Sequence, residues 1–334
     1  MMRLMSRSAR MLAVAAVVTA TLPFAANDAF AAGMPLEQRA QAAKTTADKG
    51  KTCRPARPFY WEIGDAGKTL ASGRVGVRAP QADTLLPVAS ASKWIYAAYV
   101  AELRAGKLSD EDIEFLTMRS GYTRFKRCLS SDTVDTCLQT LANGKPDAAT
   151  KGKFFYNGGH MQKHAGLIGL GDLDNRALAA QMRKVLGTSA PVSYNQPQLA
   201  GGVVSSADAY ADFLRKLLGG KLALSSMLGS HAVCTNPANC EQAASTPTPA
   251  RTSWHYSLGH WVEDDPQTGD GAFSSAGLFG FYPWIDASRS YYGIIARSSL
   301  LGTLLRGEGV RPALESAECG RQIRRAWETG TAQD

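Results

Sequence analysis

The chain has 334 residues, 45% of them hydrophobic and 20% charged, a balance that suits one large globular domain or two closely joined ones and excludes a disordered chain. The net charge of +8 is scattered, with no block of Lys and Arg. Together with the lack of a recognisable binding module, this argues against nucleic acid as a partner, while attraction to anionic cell-wall or lipid surfaces stays open.

Residues 1–31 read as a secretory signal peptide. Arg3, Arg7 and Arg10 make a basic start, an apolar run extends from Met11 to Ala26, and the small residues of "AFA" at Ala29–Ala31 precede a cleavage site after Ala31. The apolar run is short for a membrane span of about 20 residues and is broken by Thr19, Thr21 and Pro23, so cleavage is favoured over anchoring. No later stretch is long and apolar enough to cross a bilayer. Cleavage removes three Arg and one Asp and leaves about +6. The mature chain, 32–334, is expected to be a single exported domain, periplasmic or secreted. Its six cysteines are an even number in an exported chain, which favours disulfides over metal ligation. Proximity pairs Cys234 with Cys240 around "TNPAN" and Cys128 with Cys137. That leaves Cys53 and Cys319 to tie the two ends together.

Residues 32–57 are polar and alanine-rich, with one short helix. "PFYWEIGDAGKTLASGRVGVRA" (58–79) predicts a hairpin turning at Asp65–Gly67. "PVASASKWIYAAYVAEL" (87–103) predicts an amphipathic helix that ends near Gly106. Residues 107–230 read as helices and loops, and include a helix over 205–220 capped by Ser205 or Ser206 and stopped at Gly219–Gly220. After the Pro/Ser/Thr-rich stretch 241–253 come strand-like segments at 253–263, 272–285 and 290–300, then a closing helix at 311–330. The order is strands, a helical insert (about 107–230), then strands and a terminal helix. It implies an α+β fold in which both ends of the chain (about 55–80 and 253–330) build one sheet.

Ser90 and Lys93 lie three residues apart at the start of the helix over 87–103, on one face of its first turn. A partly desolvated lysine beside a hydroxyl can be neutral and take its proton, and the N–H groups of a helix start can hold an oxyanion. The plainer reading is that Ser90 or Ser92 caps the helix. "FFYNGGHMQKHA" (154–165) adds a phenol at Tyr156 and an amide at Asn157 in a glycine turn, a pair able to move a proton and bind a carbonyl. "FSSAGLFGFYPWID" (273–286) offers small residues on a strand, against which a substrate backbone can lie.

With these three segments in order, the chain resembles the penicillin-recognising serine hydrolases: serine β-lactamases, D,D-peptidases and related esterases. The family pattern is Ser-x-x-Lys, Ser-Asp-Asn and Lys-Thr-Gly. Ser90-Ala91-Ser92-Lys93 matches the first part. "YNG" at Tyr156–Gly158 stands where the second is expected and is similar to the Tyr-x-Asn form of the class C and esterase branches. "SAG" at Ser275–Gly277 stands at the third. "QPQLAGGV", "YSLGHWV" and "LFGFYPWID" are also similar to family segments, and the resemblance spans about residues 55–325. It implies a β-lactamase/transpeptidase-like fold: an antiparallel sheet flanked by helices, with a mostly helical insert. It implies Ser90 as the acyl-forming nucleophile, Lys93 as its base and Tyr156 as a proton-transfer partner. Asn157, Gly158, His160, Ser275, Ala276, Gly277 and Leu278 would line the substrate site, with the N–H groups of Ser90 and Leu278 as oxyanion hole.

The chain also departs from the pattern. Reading the second part as Phe155-Tyr156-Asn157 keeps the amide and loses the phenol. Reading it from Tyr156 keeps the phenol and puts Gly158 at the amide position; this second register is preferred, because a phenyl ring carries no proton. Ser275 replaces the cationic Lys of the third part, with Arg251 and Arg297 as candidates to supply a cation from elsewhere. No obvious deacylating Glu precedes residue 205. These departures favour an esterase or amidase over a β-lactamase, with a cell-wall D,D-peptidase close behind and a non-catalytic cell-wall peptide-binding protein as the competing class. The partner is a small-molecule or peptide substrate, peptidoglycan included.

His160 and His164 are four apart, but Met161 stands where a zinc protease needs Glu, so packing or hydrogen bonding is favoured over metal binding and no cofactor is expected. Trp254, Trp261 and Trp284 fall in the late strands. Core packing is favoured for them over an aromatic wall for an apolar acyl group. There is no Gly-x-Ser-x-Gly elbow and no phosphate-binding glycine loop.

Overall fold

The computed structural model describes residues 33–187, 193–300, 302–303, 307 and 309–334. The expected signal peptide, 1–31, lies outside these residues. Among them, no helix is long and apolar enough to cross a membrane.

Helix α1 (Leu36–Lys49) leads into the expected hairpin, β1 (Phe59–Gly64) and β2 (Thr69–Val75). The turn is held by the Asp65 carboxylate, which accepts from the N–H groups of Gly67 and Lys68, each at 2.8 Å. Short strand β3 (Leu86–Pro87) precedes helix α2 (Ser92–Leu103). The insert holds α3 (Asp110–Leu116), α4 (Val134–Gln139), β4 (Phe154–Phe155), α5 (Gly159–Ala165), α6 (Asn175–Leu186), β5 (Ser193–Tyr194), β6 (Val203–Ser205) and α7 (Ala207–Leu218). Ser206 caps α7, accepting from Ala209 N–H at 3.1 Å. Strands β7 (Val233–Cys234), β8 (Ala243–Ser245), β9 (His255–Tyr256), β10 (Trp261–Val262), β11 (Phe273–Ser274), β12 (Tyr282–Ile285) and β13 (Tyr292–Ala296) follow, then α8 (Arg311–Thr329).

The main sheet runs β2-β1-β13-β12-β11-β10-β9-β7 and is antiparallel throughout. Strand β1, from the start of the chain, pairs with β13, from its end, as the order of segments implies. The strand-like segments 253–263 and 272–285 are each two short strands around a turn. The turn in the first contains Gly259 at φ +73°.

The sheet is covered on both faces. On one side α1 and α8 enclose Trp61, Tyr282, Trp284 and Trp327. Cys53 and Cys319 are fully buried there and form a disulfide; Cys128 pairs with Cys137 and Cys234 with Cys240. On the other side α2 is the hub of the larger core. The sequence predicts an amphipathic α2, but every residue from Ser92 to Ala101 is buried. The reason is that "SKWIYAAYVA" is apolar nearly all round, the signature of a central rather than a surface helix. Trp94 and Ile95 alone contribute about 1.5–3 kcal/mol each by burial. A lysine and a serine on such a helix are therefore held in the interior.

A buried ionic cluster locks α8 to the β10–β11 hairpin. Arg324, with no exposed surface, pairs with Glu263 (3.0 Å) and Asp270 (2.6 Å), while Ser274 and the Tyr282 hydroxyl donate to the second Glu263 oxygen.

Candidate active site

Ser90 sits in a single 3-10 turn, Ala89–Ala91, between β3 and α2. Ala89 has φ +46°, a left-handed conformation that costs an alanine about 1 kcal/mol or more and is found where a site demands it. Neither serine caps α2, whose N-cap is Ala91 with no side-chain cap bond. Ser92 instead donates to Ala89 C=O (2.6 Å) and accepts from Val203 N–H (3.1 Å), tying the turn to β6. Ser90 is left half-buried, with its hydroxyl facing Lys93.

Lys93 Nζ lies 2.9 Å from Ser90 Oγ and 2.8 Å from the carbonyl oxygen of Ala200. It is 4% exposed, and among the described residues no carboxylate pairs with it. Burial without a counter-ion penalises the charged form and lowers the amine to about 7. A neutral, basic amine is therefore within reach at neutral pH.

Tyr156 follows β4 and is half-buried beside this pair. Its phenol lies beside Ser90 and Trp261, and burial pushes it up to about 12. Lys93 Nζ stands 4.7 Å from the centre of the Tyr156 ring. Ser90, Lys93 and Tyr156 thus meet at one point, in the Tyr156 register. Phe155 instead turns its carbonyl to His160 Nε2 (2.9 Å).

The neighbouring segment departs from the expected roles. Asn157 Oδ1 accepts from Gly159 N–H at 2.9 Å and Nδ2 donates to Phe125 C=O at 3.4 Å, so this amide organises the start of α5 and does not address a substrate. Gln198 packs against Gly158, with its Nε2 3.4 Å from where a β-carbon on that glycine would stand. His160 is fully buried, bonded to Ser120 Oγ (2.7 Å) and Phe155 C=O. Desolvation lowers it to about 4, so it is a neutral side chain held by these two bonds, with no exposed surface to offer a substrate. His164 joins Tyr96 (2.9 Å) and Asp112 (3.0 Å) in the interior.

On the strand side, Ser275 is 3% exposed and donates to the Ser90 carbonyl at 3.2 Å. Ala276 packs its side chain into the opposite core and presents only backbone to the site. A β-carbon on Gly277 would stand 2.1 Å from the Val88 carbonyl oxygen, so the glycine is what lets this strand reach the nucleophile turn. Ser275 and Gly277 donate their N–H groups to Pro283 (3.2 Å) and Phe281 (2.7 Å). Leu278 lies in the turn that the Gly280 N–H closes on the Gly277 carbonyl at 2.8 Å. Arg297 does not supply the missing cation. It pairs with Glu315 (3.2 Å) and packs beneath Gly280. Arg251 is exposed on the loop before β9.

The Ala200 carbonyl carries no sequence signal, because a backbone oxygen is common to every residue type. Trp261 is core as expected, 3% exposed, and also stacks on Tyr156 at 5.2 Å and 25°. Trp254 and Trp284 are core as expected, 5% and 0% exposed.

This architecture is the β-lactamase and penicillin-binding-protein fold. The chain is similar to the solved structure of EstCE1, a hydrolase with promiscuous acyltransferase activity (15% identity, 85% of this chain and 98% of that one, TM-score 0.56). It is similar to the octameric penicillin-binding protein homologue from Pyrococcus abyssi (14%, 84% and 76%, 0.55) and to simvastatin synthase (LovD) from Aspergillus terreus (14%, 86% and 99%, 0.53). At these identities the likeness is one of fold. No family model and no curated protein sequence matches the chain.

Proposed function

We propose that the protein is an exported serine hydrolase that forms an acyl-enzyme at Ser90 on an ester or amide substrate. The observation that carries this reading is the buried Lys93 amine, 2.9 Å from the Ser90 hydroxyl, with no carboxylate among the described residues to hold its proton. In the proposed cycle Lys93 takes the Ser90 proton as Oγ bonds to the substrate carbonyl carbon. The N–H groups of Ser90 and Leu278 receive the oxyanion. As the bond to the leaving group breaks, Tyr156 gives that group its proton and is reprotonated from the Lys93 ammonium. Water then repeats the sequence on the acyl-enzyme.

Esterase or amidase activity is preferred over action on D-Ala peptides or β-lactams. Ser275 stands where a cation would meet their carboxylate, and Arg297 is committed to Glu315. Export is supported by the layout of residues 1–31 and by three cysteine pairs. The test is intact-protein mass after incubation with a fluorophosphonate and, separately, with penicillin, for the mature chain and Ser90→Ala. A Ser90-dependent fluorophosphonate adduct is expected. A stable penicillin adduct would shift the reading to cell-wall peptide chemistry, and no adduct with either would favour a binding protein on the same scaffold.

A further inference from the structure

Helix α5 begins three residues after Tyr156, and a polar side chain in its middle reaches a distant segment. Gln162 is fully buried, and its amide makes three hydrogen bonds. Oε1 accepts from Leu199 N–H at 3.3 Å, and Nε2 donates to the carbonyls of Pro197 (2.8 Å) and Val134 (3.2 Å). An amide side chain has an oxygen that accepts and a nitrogen with two N–H groups that donate. One backbone donor and two backbone acceptors surround this one, so a single orientation satisfies all of them.

The turn that Gln162 holds carries the second partner of Lys93. Residues 196–202 fold back on themselves: Gln198 N–H donates to Gln196 C=O (2.7 Å), and the N–H groups of Gly201 and Gly202 donate to Gln198 C=O (3.2 and 2.7 Å). Pro197 and Leu199 are buried. Among the described residues no backbone group pairs with the Leu199 N–H or the Pro197 carbonyl, and Gln162 serves both. Unpaired backbone groups are strongly disfavoured in an interior, so this amide decides where the turn sits. Ala200, the next residue along, gives its carbonyl to Lys93 Nζ at 2.8 Å.

We infer that Gln162 is a positioning residue for the base: by bracing the 197–200 turn from α5, it sets the Ala200 carbonyl that turns the Lys93 lone pair toward Ser90. The inference rests on the hydrolase reading above. A neutral amine has two N–H bonds and one lone pair. A carbonyl oxygen only accepts, so Ala200 takes an N–H, and the lone pair is free to meet the Ser90 hydroxyl 2.9 Å away. In the step served, the Ser90 proton passes to that lone pair. The Oγ electron pair forms the bond to the substrate carbonyl carbon, and the carbonyl π pair moves onto its oxygen. The resulting ammonium keeps its bond to Ala200. Without the brace the amine turns about its Cε–Nζ bond, and a share of the molecules presents an N–H to Ser90 in place of the lone pair. The Gln162 N–H also donates to Gly158 C=O at 3.1 Å, so the brace ties the base to the segment that carries the phenol.

Two measurements test this. The first reads the brace and needs no reaction. In ¹H–¹³C spectra of the mature protein labelled at lysine Cε, recorded at about pH 9 where the buried amine is neutral, the Lys93 resonance is assigned with Lys93→Met. It should move in Gln162→Met, which keeps the length of the side chain and deletes the amide. An unmoved Lys93 resonance would overturn the proposal whether or not Ser90 reacts. The second is a double-mutant cycle on fluorophosphonate labelling of Ser90. Gln162→Met should lower kinact about tenfold, the size expected for one mis-set hydrogen bond, with KI little altered. The residual labelling of Lys93→Met should not slow further when Gln162→Met is added, because the brace acts through the amine. Equal slowing in both backgrounds would mark a packing role and refute the assignment, as would undiminished labelling of Gln162→Met itself. Gln162→Asn, which keeps the amide and shortens its reach, replaces Gln162→Met if that variant does not fold, and is read by the same outcomes. If the wild type is not labelled, the hydrolase reading fails, and the proposal fails with it as a statement about catalysis, while the spectra still report the brace.

Discussion

The buried amine makes Lys93→Met an informative perturbation, because the charge that serves acylation also opposes folding. In the unfolded chain the amine titrates near 10.5, and in the fold near 7. A depressed lysine means that the unfolded state binds more protons between those values, so stability rises with pH across that window and is flat below it. From pH 7 to 9 the native amine loses about half a proton while the unfolded one stays charged. The linkage integral is about 2 kcal/mol, or about 3–5 °C in Tm for a chain of this size. Methionine keeps the aliphatic stem and removes the titration. Thermal melts of both proteins at half-unit steps from pH 5.5 to 9.5 should show the wild type gaining this amount on Lys93→Met above pH 7, with a constant difference below pH 6. Shared contributions from other groups cancel in the difference. A Tm difference independent of pH from 6.5 to 9 would refute a low-pKa lysine here and with it the base assigned to Ser90. The activity counterpart is a kcat/KM that climbs as the amine deprotonates, with an apparent pKa near 7.

Gly277→Ala should place a β-carbon against the Val88 carbonyl and force the strand from the nucleophile turn, slowing Ser90 fluorophosphonate labelling about 100-fold while the far-ultraviolet circular dichroism is retained. Replacing Cys53 and Cys319 by Ala, which opens a sequence separation of 266, should cost about 5 kcal/mol in denaturant titration. Opening Cys234–Cys240, with a separation of 6, should cost only about 2. Arg324→Met leaves Glu263 as a buried uncompensated charge, and should lower stability by about 3–5 kcal/mol by the same titration. A loss below 1 kcal/mol would mean the cluster is not the anchor of β10.

Much of this protein could be read along the chain because its signals are local. Turn chemistry at Asp65–Gly67, the Ser206 cap, the Gly219 stop and the spacing of Ser90 to Lys93 each involve residues a few positions apart, and local sterics and hydrogen bonds decide them. Cysteine proximity suggested the two short pairs, and elimination left Cys53 and Cys319. Tertiary structure decided what depends on distant neighbours. Asn157 has the right chemistry for a substrate amide, but the N–H of Gly159 and the carbonyl of Phe125 claim it first. His160 is spent on Ser120 and Phe155. Ala276 turns away because its strand alternates, and Arg297 is taken by Glu315. Residue type fixes what a side chain is able to do. Which partner reaches it, and how much water is left around it, is settled only when segments more than a hundred residues apart pack together, as Ala200 does on Lys93 and Trp261 on Tyr156.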